Sequence, residues 1–489
     1  MMKKLLIFCA LALVSCAGHK ENEIVLNSEE DLAGLRVAVA TGSSYEMDLS
    51  SREDIQLLRF NTESDLLQAL SNDRADVVVI DEVVFNPVIQ RENGIKIALL
   101  GEKEFPTGFA FRGEDAALAQ TMTAIQQRME ADGSMQQLKD FWLTDRFTEV
   151  ETYTHIPPET TGKPLRVATC APTAPLSFRI GDDWYGLEID LLRELAKELH
   201  RPIEVTLYET ASAMLSVRSG VADVLCGCIF ITPERQREFA FSAPYHAYRP
   251  AYFVKDHQAR RRQVGPIAAF VQSVKKNLIT EQRWKYITSG LWMTLKISLL
   301  AIILGSVLGI GLYAMSGSRR KWMRGFAHAY NGFMAGIPDL VLLLILFYVV
   351  FAKSSLPADL VAVISFGLLF ASSFFEVYAS SLEAVPRGQT EAGLALGFTR
   401  LQTFFHIVFP QALRYGLPLY KGHCVALLKG TAIVGFIAVQ DLTRAGDLIR
   451  ARTFDAFIPL LVVTLLYFLL VWLIGKFITL LTPGKTVLK

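Results

Sequence analysis

Two hydrophobicity patterns divide the chain. Residues 30–255 show the mixed apolar and polar positions of a soluble α/β protein, whereas residues 289–481 hold long apolar runs separated by short polar stretches. Each of these runs is long enough for a transmembrane helix, which needs about 20 residues. The predicted spans cover residues 290–315, 326–352, 358–380, 416–440 and 457–481. The pattern therefore predicts an α/β domain followed by an all-α membrane domain of five helices.

The N-terminus has the pattern of an export signal. Two lysines precede an apolar run over residues 5–14, which is too short to span a bilayer. The run ends at Leu13-Val14-Ser15-Cys16, which resembles the lipobox of bacterial lipoproteins, whose cysteine is lipid-modified. We predict a lipoprotein-type signal peptide over residues 1–16 with Cys16 as the lipidation site. An unlipidated signal with an incidental cysteine is the alternative, and either signal delivers the following domain to the periplasmic or external side.

Charge and cysteine content exclude two classes of protein. The 489 residues include 49 Lys and Arg and 48 Asp and Glu, so the formal net charge is only +1. A nearly neutral chain has no global field that would attract nucleic acid, and no nucleic-acid partner is predicted. Six cysteines are also too few for a disulfide scaffold.

Basic residues predict the orientation of the membrane domain. Arg319, Arg320, Lys321 and Arg324 follow the first span at once, and the positive-inside rule places such a cluster in the cytoplasm. The first span then runs inward, which agrees with an exported N-terminal domain. By alternation, residues 382–415 and the C-terminus are expected in the cytoplasm. We therefore predict a protein of the bacterial inner (cytoplasmic) membrane.

A linker and an interfacial helix are predicted over residues 256–288. Apolar residues recur there at helical spacing with two lysines between them, as expected for an amphipathic helix on a membrane surface. These apolar residues are Ile267, Phe270, Val271, Val274 and Leu278.

The predicted cytoplasmic segment 383–414 carries a spaced motif. Glu391-Ala392-Gly393 is followed by Gly397 and then by Ile407-Val408-Phe409-Pro410. Gly397 is expected to separate two short helices, and Pro410 is expected to close the second. The spacing resembles the EAA loop of the membrane subunits of ABC importers, with a glycine and a phenylalanine at two usual positions. A loop that contains Glu-Ala and glycine by chance is the alternative.

The resemblance extends over residues 285–482 and indicates the polar amino-acid branch of these permeases. It rests on four ordered segments, Glu376–Gln389, Pro410–Arg414, Leu427–Thr431 and Asp441–Arg444. It implies a permease domain over residues 289–482 whose coupling loop docks on an ATP-hydrolysing subunit. The implied coupling residues are Glu391, Ala392, Gly393, Gly397, Ile407 and Pro410.

ATP hydrolysis is expected in a partner subunit. The Walker A pattern G-x-x-x-x-G-K-[ST] is lacking, because Thr479 stands where Gly484-Lys485-Thr486 would need its first glycine. The resemblance therefore implies no cofactor on this chain and ATP-Mg on a cytoplasmic ABC ATPase dimer. It also implies a second permease copy, as a homodimer, because one five-helix unit supplies half of a pathway.

Two ionisable residues of the membrane domain are tentative parts of a translocation path. Glu376 and Lys429 lie within or beside predicted spans, where burying a charge is costly. Snorkelling to an interface or structural pairing is the alternative. Three usual neighbours of these residues in the family are replaced, by Ala335, Ala379 and Gly430.

The exported segment carries ordered strand and helix motifs. Within 164–255 these are Leu165–Ala168, Gly186–Leu191, Gly220–Val224, Ile231–Arg235 and Phe241–Tyr245. Their order resembles the first lobe of extracytoplasmic amino-acid-binding proteins of the type II solute-binding fold. The motifs of the second lobe come earlier, over 24–110, and residues 111–150 are expected to return to the first lobe. This implies one solute-binding domain over 24–255, circularly permuted in a hinge strand; two incomplete tandem copies are the alternative.

The resemblance implies three groups that grip a zwitterion. A carboxylate favours a bidentate guanidinium, and Arg235 stands at the family's carboxylate-binding arginine. A carboxylate also favours N–H groups at a helix start, which Gly42, Ser43 and Ser44 offer. An ammonium group favours a carboxylate, and Asp81 closes a strand where the family places one.

Other ligand-site positions depart from the family. Cys170 replaces a common aspartate, and Thr173 replaces an aromatic residue that covers the ligand. Cys228 and Phe230, from the loop that faces Cys170 in the fold, complete the predicted ligand site. Cys170 forms a disulfide with Cys226 or Cys228, or all three are packed thiols. No histidine is spaced to complete a metal site, and no metal is predicted.

Together the patterns predict the substrate-binding and permease subunit of an ATP-driven importer for a polar amino acid or a similar small zwitterion. The chain itself is not expected to be an enzyme, since no acid/base pair stands out. A ligand-gated channel or membrane sensor that uses the same clamshell domain is the alternative, although it gives the EAA-like loop no role.

Overall fold

The computed structural model describes residues 24–85, 89–90, 93–153, 161–170, 174–180, 183–208, 210–256, 266–354 and 356–480. The signal peptide predicted over residues 1–16, Cys16 and Thr173 lie outside the described residues. The chain divides into two compact units. The first unit comprises Met1–Asn61, Asp65–Glu104 and Arg249–Gln263, and the second comprises Thr62–Ser64, Phe105–Tyr248 and Val264–Lys489.

The strands and helices of the described residues are numbered along the chain. The strands are β1 Arg36–Ala40, β2 Gln56–Phe60, β3 Val77–Asp81, β4 Ile95–Leu100, β5 Phe105–Thr107, β6 Ala110–Arg112, β7 Leu165–Thr169, β8 Phe178–Ile180, β9 Asp183–Tyr185, β10 Ile203–Leu207, β11 Val224–Cys226, β12 Phe239–Phe241, β13 His246–Tyr248 and β14 Pro250–Lys255. The α-helices are α1 Ser44–Leu49, α2 Glu63–Ser71, α3 Ala116–Ala131, α4 Ser134–Trp142, α5 Leu187–Leu199, α6 Thr210–Arg218, α7 Pro233–Gln236, α8 Pro266–Val274, α9 Trp284–Ser316, α10 Lys321–Gly336, α11 Asp339–Ile345, α12 Ala358–Glu383, α13 Arg387–Ala395, α14 Arg400–Thr403, α15 Phe409–Gly430, α16 Leu442–Thr453 and α17 Phe457–Leu480. Single π-helical turns cover Lys275–Ile279, Leu346–Val350 and Phe404–Val408, and a 3-10 helix covers Thr431–Ile437.

The first unit is built on a five-stranded sheet of order β2-β1-β3-β14-β4. β1 is parallel to β2 and β3, whereas β14 is antiparallel to β3 and β4. All residues of β3, Val-Val-Val-Ile-Asp, are buried, as expected for a central strand covered on both faces. This strand ends at Asp81, so the sheet brings that carboxylate to the edge formed by the strand ends.

The second unit contains a sheet of the same design, with order β10-β7-β11-β6-β12. β7 is parallel to β10 and β11, and β6 is antiparallel to β11 and β12. Two short ribbons, β5 with β13 and β8 with β9, accompany this sheet. The α/β domain predicted from the sequence is therefore confirmed, with two sheets of one topology.

The predicted lobe bounds differ from these units in two segments. Residues 250–255, assigned with 164–255, form β14 in the sheet of the first unit. Residues 105–110, assigned with 24–110, belong to the second unit, where β6 pairs with β11. The physical reason is strand exchange, because each sheet receives its antiparallel strand from the chain segment that follows the other unit.

One carboxylate in each unit fastens the start of the central strands; Asp76 is half-buried and Asp223 is buried. In the first unit, Asp76 accepts hydrogen bonds from the backbone N and from Nε and Nη2 of Arg36, at 2.8, 3.0 and 2.7 Å. In the second unit, Asp223 accepts from the backbone N and Nη2 of Arg166, at 3.0 and 2.6 Å. Nε of Arg166 at 3.4 Å and Nη2 of Arg201 at 3.1 Å add two further bonds to Asp223. The two pairs occupy matching positions in the two sheets.

The Asp223 cluster allows a prediction for stability. Burial by itself would raise the pKa of Asp223, but the Arg166 hydrogen bonds and the charges of Arg166 and Arg201 outweigh burial and lower that pKa below its ordinary value. A lowered carboxylate pKa contributes stability above the ordinary pKa of about 3.9, and this stability is lost as the pH falls through the folded-state pKa. We expect Asp223→Asn to lower the free energy of unfolding by about 3 kcal/mol at neutral pH, because it removes the charge that the half-buried Arg166 and Arg201 bind through several hydrogen bonds.

Thermal unfolding of the full chain in detergent, followed between pH 3 and pH 7, measures this effect. The Tm difference between the unaltered chain and Asp223→Asn should shrink towards the acid end of the series. Glu238→Gln, which breaks only an exposed pair with Arg218, is the matched control and should leave Tm nearly unchanged. A difference that is equal at both ends of the pH range contradicts the prediction.

The membrane domain contains three helices that are long and apolar enough to cross a membrane, among the described residues. These are α9, α12 and α17, and they confirm three of the predicted spans. The predicted span 326–352 is instead two segments, Lys321–Gly336 and Asp339–Val350, that meet at 107°. Pro338 lies at this break, where its ring and its missing N–H interrupt the helix. If each bent pair counts as one span, the described residues hold up to five.

The other bent pair replaces the predicted span 416–440. Its helical segments run over Arg400–Ile437 and Leu442–Thr453 and meet at 50°. Ala438 has a positive φ of 60° at the break, and Asp441 caps the start of α16.

Glycine residues let α9 and α12 pack closely against each other. A Cβ on Gly305 of α9 would lie only 2.7 Å from the carbonyl oxygen of Gly367 on α12.

Candidate functional site

Asp81 is held in place by a tyrosine of the first unit. The carboxylate is buried at the end of β3, and the Tyr45 hydroxyl donates a hydrogen bond to its Oδ1. Tyr45 is the second residue of α1 and is itself buried. The structure thus fixes the direction of one predicted ligand-binding group, while its contact with a ligand stays a prediction.

The turn before α1 is organised by a residue that the sequence analysis missed. Glu46 Oε2 accepts a 2.6 Å hydrogen bond from the Gly42 N–H, and Ser43 Oγ caps the helix by accepting from the Glu46 N–H at 3.1 Å. The Gly42 bond, and then Nε of Arg59 at 2.5 Å, lower the pKa of Glu46 below its ordinary value. The Gly42 N–H therefore already has an acceptor within the unit, and Ser44 is buried beside it.

The remaining predicted ligand residues meet in the second unit. Cys170 follows β7, and its Sγ lies 3.9 Å from the carbonyl oxygen of Cys226 and 3.7 Å from that of Gly227. Arg235 belongs to α7, which begins at the N-cap Thr232, and its Nη1 donates to the Phe230 carbonyl oxygen at 3.2 Å. Burial lowers the pKa of the Arg235 guanidinium. The hydrogen bond to the Phe230 carbonyl oxygen fixes the direction of this guanidinium.

The three cysteines of this region are thiols in the structure. Cys226 is fully buried, and Cys170 and Cys228 are half-buried. Burial, followed by the charge of Glu188, raises the pKa of the Cys226 thiol well above its ordinary value. Of the alternatives that the sequence left open, the structure has the packed thiols and not a disulfide.

Glu188 shapes the loop that carries the predicted ligand residues. Its side chain is completely buried on the first turn of α5. Its two oxygens accept from the Gly227 N–H at 3.0 and 2.9 Å, from the Cys228 N–H at 2.8 Å and from the Tyr245 hydroxyl at 2.5 Å. Gly227 and Cys228 both have positive φ, at 108° and 57°. A carboxylate within an otherwise apolar helix face was the sequence signal that could have identified this residue.

The coupling loop is a helix–turn–helix held by regular caps. α13 ends at Ala395 and is followed by Gly397, whose φ is +86°, and the N–H of Phe398 donates to the Gly393 carbonyl oxygen at 3.2 Å. Thr399 and Gln402 then form a capping box at the start of α14. Two short helical segments separated by Gly397 are therefore confirmed.

Gly393 explains one departure from the family's motif. It is buried, and a Cβ at this position would lie 2.6 Å from Cγ2 of Thr403 and 2.9 Å from Cδ1 of Ile407. The glycine thus permits close packing of α13 on the segment that follows. The prediction that Pro410 closes the second short helix is wrong, since the helix continues past it into α15, while its role in coupling stays a prediction. The π-turn Phe404–Val408 changes the hydrogen-bond spacing just before Pro410 and accommodates its missing N–H.

The surface of the coupling loop is largely apolar. Glu391 and Ala392 are exposed on α13, and large apolar side chains are exposed around them. These are Leu394, Leu396, Phe398, Leu401 and Phe405.

The tentative translocation residues occupy separate helices. Glu376 lies on α12 and accepts a 3.0 Å hydrogen bond from Asn331 Nδ2. Lys429 lies on the last turn of α15, and both side chains are exposed. Sequence reasoning missed an ion pair of the membrane domain. Lys296 of α9 lies 2.5 Å from the Asp359 carboxylate and joins α9 to α12.

Residues of the solute-binding region and the membrane helices contact each other within the second unit. The Tyr348 hydroxyl lies 3.4 Å from the Ser212 carbonyl oxygen and donates to the Phe436 carbonyl at 3.1 Å. Ala438 packs against the buried cluster that includes Ala168 and Leu225. The loop between the 3-10 helix Thr431–Ile437 and α16 therefore adjoins the sheet that carries Cys170.

Comparisons with known proteins relate the chain to solute-binding proteins and to amino-acid permeases. The model of the bacterial extracellular solute-binding proteins, family 3, matches residues 165–395. The chain is 31% identical to the putative glutamine transport system permease protein GlnP of Rickettsia typhi, over 39% of this chain and 88% of that protein. It is 29% identical to the L-cystine transport system permease protein TcyB of Bacillus subtilis, over 39% of this chain and 82% of that protein. The crystal structure of an amino acid ABC transporter with histidines is 27% identical, covers 45% of this chain and 99% of its own, and gives a TM-score of 0.39.

Proposed function

Since the chain belongs to the permeases of amino-acid ABC transporters and carries a family 3 solute-binding domain in the same polypeptide, we propose that it is the substrate-binding and permease subunit of an ATP-driven importer. The observation that carries this proposal is the coupling loop. Its capped helices present exposed Glu391 and an apolar surface on the same chain as a two-sheet binding domain. A channel or sensor gives such a surface no task.

The proposed ligand is a polar amino acid or a similar small zwitterion. Arg235 supplies a guanidinium for the α-carboxylate, and Asp81 supplies a carboxylate for the α-ammonium group. Their directions are fixed by Phe230 and Tyr45. Cys170 stands where an aspartate is usual, so a ligand with a cationic side chain does not meet a carboxylate at that position.

The proposed assembly contains two copies of this chain and a cytoplasmic ABC ATPase dimer that holds ATP-Mg. Exposed charges on membrane helices are costly in lipid, and Glu376 and Lys429 are exposed in the single chain. A second copy would cover such groups, which supports a homodimer. We place the solute-binding domain outside the inner membrane, anchored by Cys16, with the coupling loop and the C-terminus inside. The exchange of strands between the sheets supports a circular permutation.

Substitution of Glu391 tests the proposed coupling. We expect the affinity-purified full chain to carry a subunit that hydrolyses ATP, and the hydrolysis rate to rise when amino acids are added. Glu391→Lys should reduce the copurified ATP hydrolysis at least tenfold, because it reverses a charge in the centre of the docking surface. The rate of phosphate release per purified chain is the measurement.

Glu383→Lys is the matched control, since Glu383 is also exposed but ends α12 outside the two coupling helices. This control should retain the ATP hydrolysis of the unaltered chain. Absence of ATP hydrolysis from every preparation of the unaltered chain, or equal losses in both variants, would overturn the proposal.

A further inference from the structure

A cavity lies between the solute-binding region and the membrane helices of the second unit. Its volume is about 250 Å³. Its walls come from the ribbon β8–β9, from strand β10, from the start of α9, from the loop before α16 and from α16 itself. The lining residues are Arg179, Trp184, Val205, Thr206, Leu207, Tyr286, Ala438, Gln440, Arg444, Leu448 and Arg452. All of them are half-buried, and none belongs to the predicted ligand or coupling sites.

The cavity concentrates positive charge. Arg179, Arg444 and Arg452 line it, and no Asp or Glu is found among the described residues of its lining. Arginine is suited to such a position because its planar, always charged guanidinium binds phosphate and carboxylate through paired hydrogen bonds. The lining therefore favours an anion with several acceptor oxygens.

The arginines of α16 are positioned by the local backbone. Arg444, Leu448 and Arg452 are spaced by four residues and share one face of the helix. The stem of Arg444 packs on Gly435, with Cδ 3.6 Å from the position a Cβ would take. Nη1 of Arg452 donates to the Arg179 carbonyl oxygen. This bond joins the membrane helix to the β8–β9 ribbon at the edge of the cavity.

The rest of the lining is amphipathic and lies at the start of a candidate membrane span. Tyr286 is on the first turn of α9, and Trp184 stands on the facing ribbon. Trp284 and Trp292 of the same helix are exposed, and tyrosine and tryptophan are enriched at membrane–water interfaces. Val205, Leu207 and Leu448 add apolar surface to the cavity. Basic pockets on the cytoplasmic or matrix side of membrane proteins bind anionic lipid headgroups, and the same pairing of arginine with phosphate is available at this cavity.

We propose that this cavity is a binding site for a phosphate anion, supplied by an anionic phospholipid headgroup or by free phosphate. The bound phosphate bridges Arg179 of the solute-binding region to Arg444 and Arg452 of the membrane domain. It thereby stabilises the contact between these two parts of the second unit. This site is separate from the amino-acid site of the proposed importer, and its test does not depend on transport.

Thermal unfolding of the full chain in a non-ionic detergent tests the site. We expect added phosphatidylglycerol to raise Tm by several degrees, since a ligand that binds only the folded state stabilises it. Phosphatidylcholine should have less than half this effect. An equal rise with inorganic phosphate would identify free phosphate as a sufficient ligand, whereas a rise with phosphatidylglycerol alone would identify the lipid. The proposal would be overturned if neither phosphatidylglycerol nor inorganic phosphate raised Tm. It would also be overturned if phosphatidylglycerol and phosphatidylcholine raised Tm equally.

The double variant Arg179→Gln and Arg444→Gln should lose most of the Tm rise. Arg218→Gln is the control, because Arg218 is an exposed arginine of the same unit outside the cavity lining; it should keep the full rise. A full rise in the double variant contradicts the site. If that variant does not fold, native mass spectrometry of the unaltered chain decides: one retained phosphate-bearing adduct per chain supports the site, and none overturns it.

Discussion

Replacing Arg235 with alanine is expected to lower the affinity of the full chain for its amino-acid ligand by about 100-fold or more. Each hydrogen bond to a charged group contributes roughly 1.5–3 kcal/mol, and a bidentate pair contributes two of them. Every 1.4 kcal/mol corresponds to a tenfold change in affinity. The guanidinium is half-buried and aimed by the Phe230 carbonyl, so little reorganisation opposes binding. Thermal-shift screening of amino acids, followed by calorimetric titration of the best ligand, measures the change.

Two further variants separate ligand binding from folding. Arg235→Lys keeps the charge but loses the fork of the guanidinium, so we expect an intermediate affinity. Arg237→Ala removes an exposed arginine two residues along the chain and should bind as the unaltered chain does. An undiminished affinity in Arg235→Ala, or an equal loss in Arg237→Ala, would remove Arg235 from the ligand site. Either result leaves the ATPase-coupling test on Glu391 unaffected.

Much of the fold could be predicted because local sequence and tertiary structure agree. The run Val77–Ile80 is apolar and β-branched, and it is the buried central strand of its sheet. Gly397 was expected to interrupt a helix, and it is the left-handed residue of a helix cap. In both places the information lies within a few residues of the feature that it determines.

The missed features depend on distant residues. Glu188 is 39 residues from Gly227 in sequence, so its hydrogen bonds to that loop follow from topology and not from a local pattern. Pro410 was expected to end a helix, but a preceding π-turn accommodates it. Glu46 accepts the hydrogen bond from the Gly42 N–H because Arg59, on strand β2, fixes the position of the Glu46 carboxylate.

A short internal repeat was also overlooked. Leu35-Arg36-Val37-Ala38 recurs as Leu165-Arg166-Val167-Ala168, and each is followed later by an Ala-Asp-Val segment. The structure shows why: Arg36 binds Asp76 and Arg166 binds Asp223 in the same way. The repeat therefore marks equivalent strands of two sheets that share one topology. It could have located both lobes before any resemblance was considered.

The second large effect is expected at Glu188. Glu188→Ala leaves the Gly227 N–H, the Cys228 N–H and the Tyr245 hydroxyl without their acceptor inside the protein. A buried donor that is left without an acceptor costs roughly 1–3 kcal/mol, so the three donors together are expected to cost about 3 kcal/mol or more. We expect the free energy of unfolding to fall by that amount and ligand affinity to fall with it, because the loop of Cys228 and Phe230 loses its support. Glu198→Ala, on the exposed side of the same helix, should change stability by less than about 0.5 kcal/mol.

The pH dependence of Glu188 runs opposite to that of Asp223 and provides an independent check. Burial raises the pKa of Glu188 above its ordinary value, against the hydrogen bonds from Tyr245 and the loop. The carboxyl group of Glu188 therefore binds its proton more tightly in the folded chain than in the unfolded chain. The resulting stability is fully present below the ordinary pKa of about 4.3 and is lost as the pH rises through the raised folded-state pKa. Glu188→Gln should abolish this loss in a series of Tm measurements from pH 4 upward. An unchanged pH profile in Glu188→Gln would show that the carboxylate is not the titrating group.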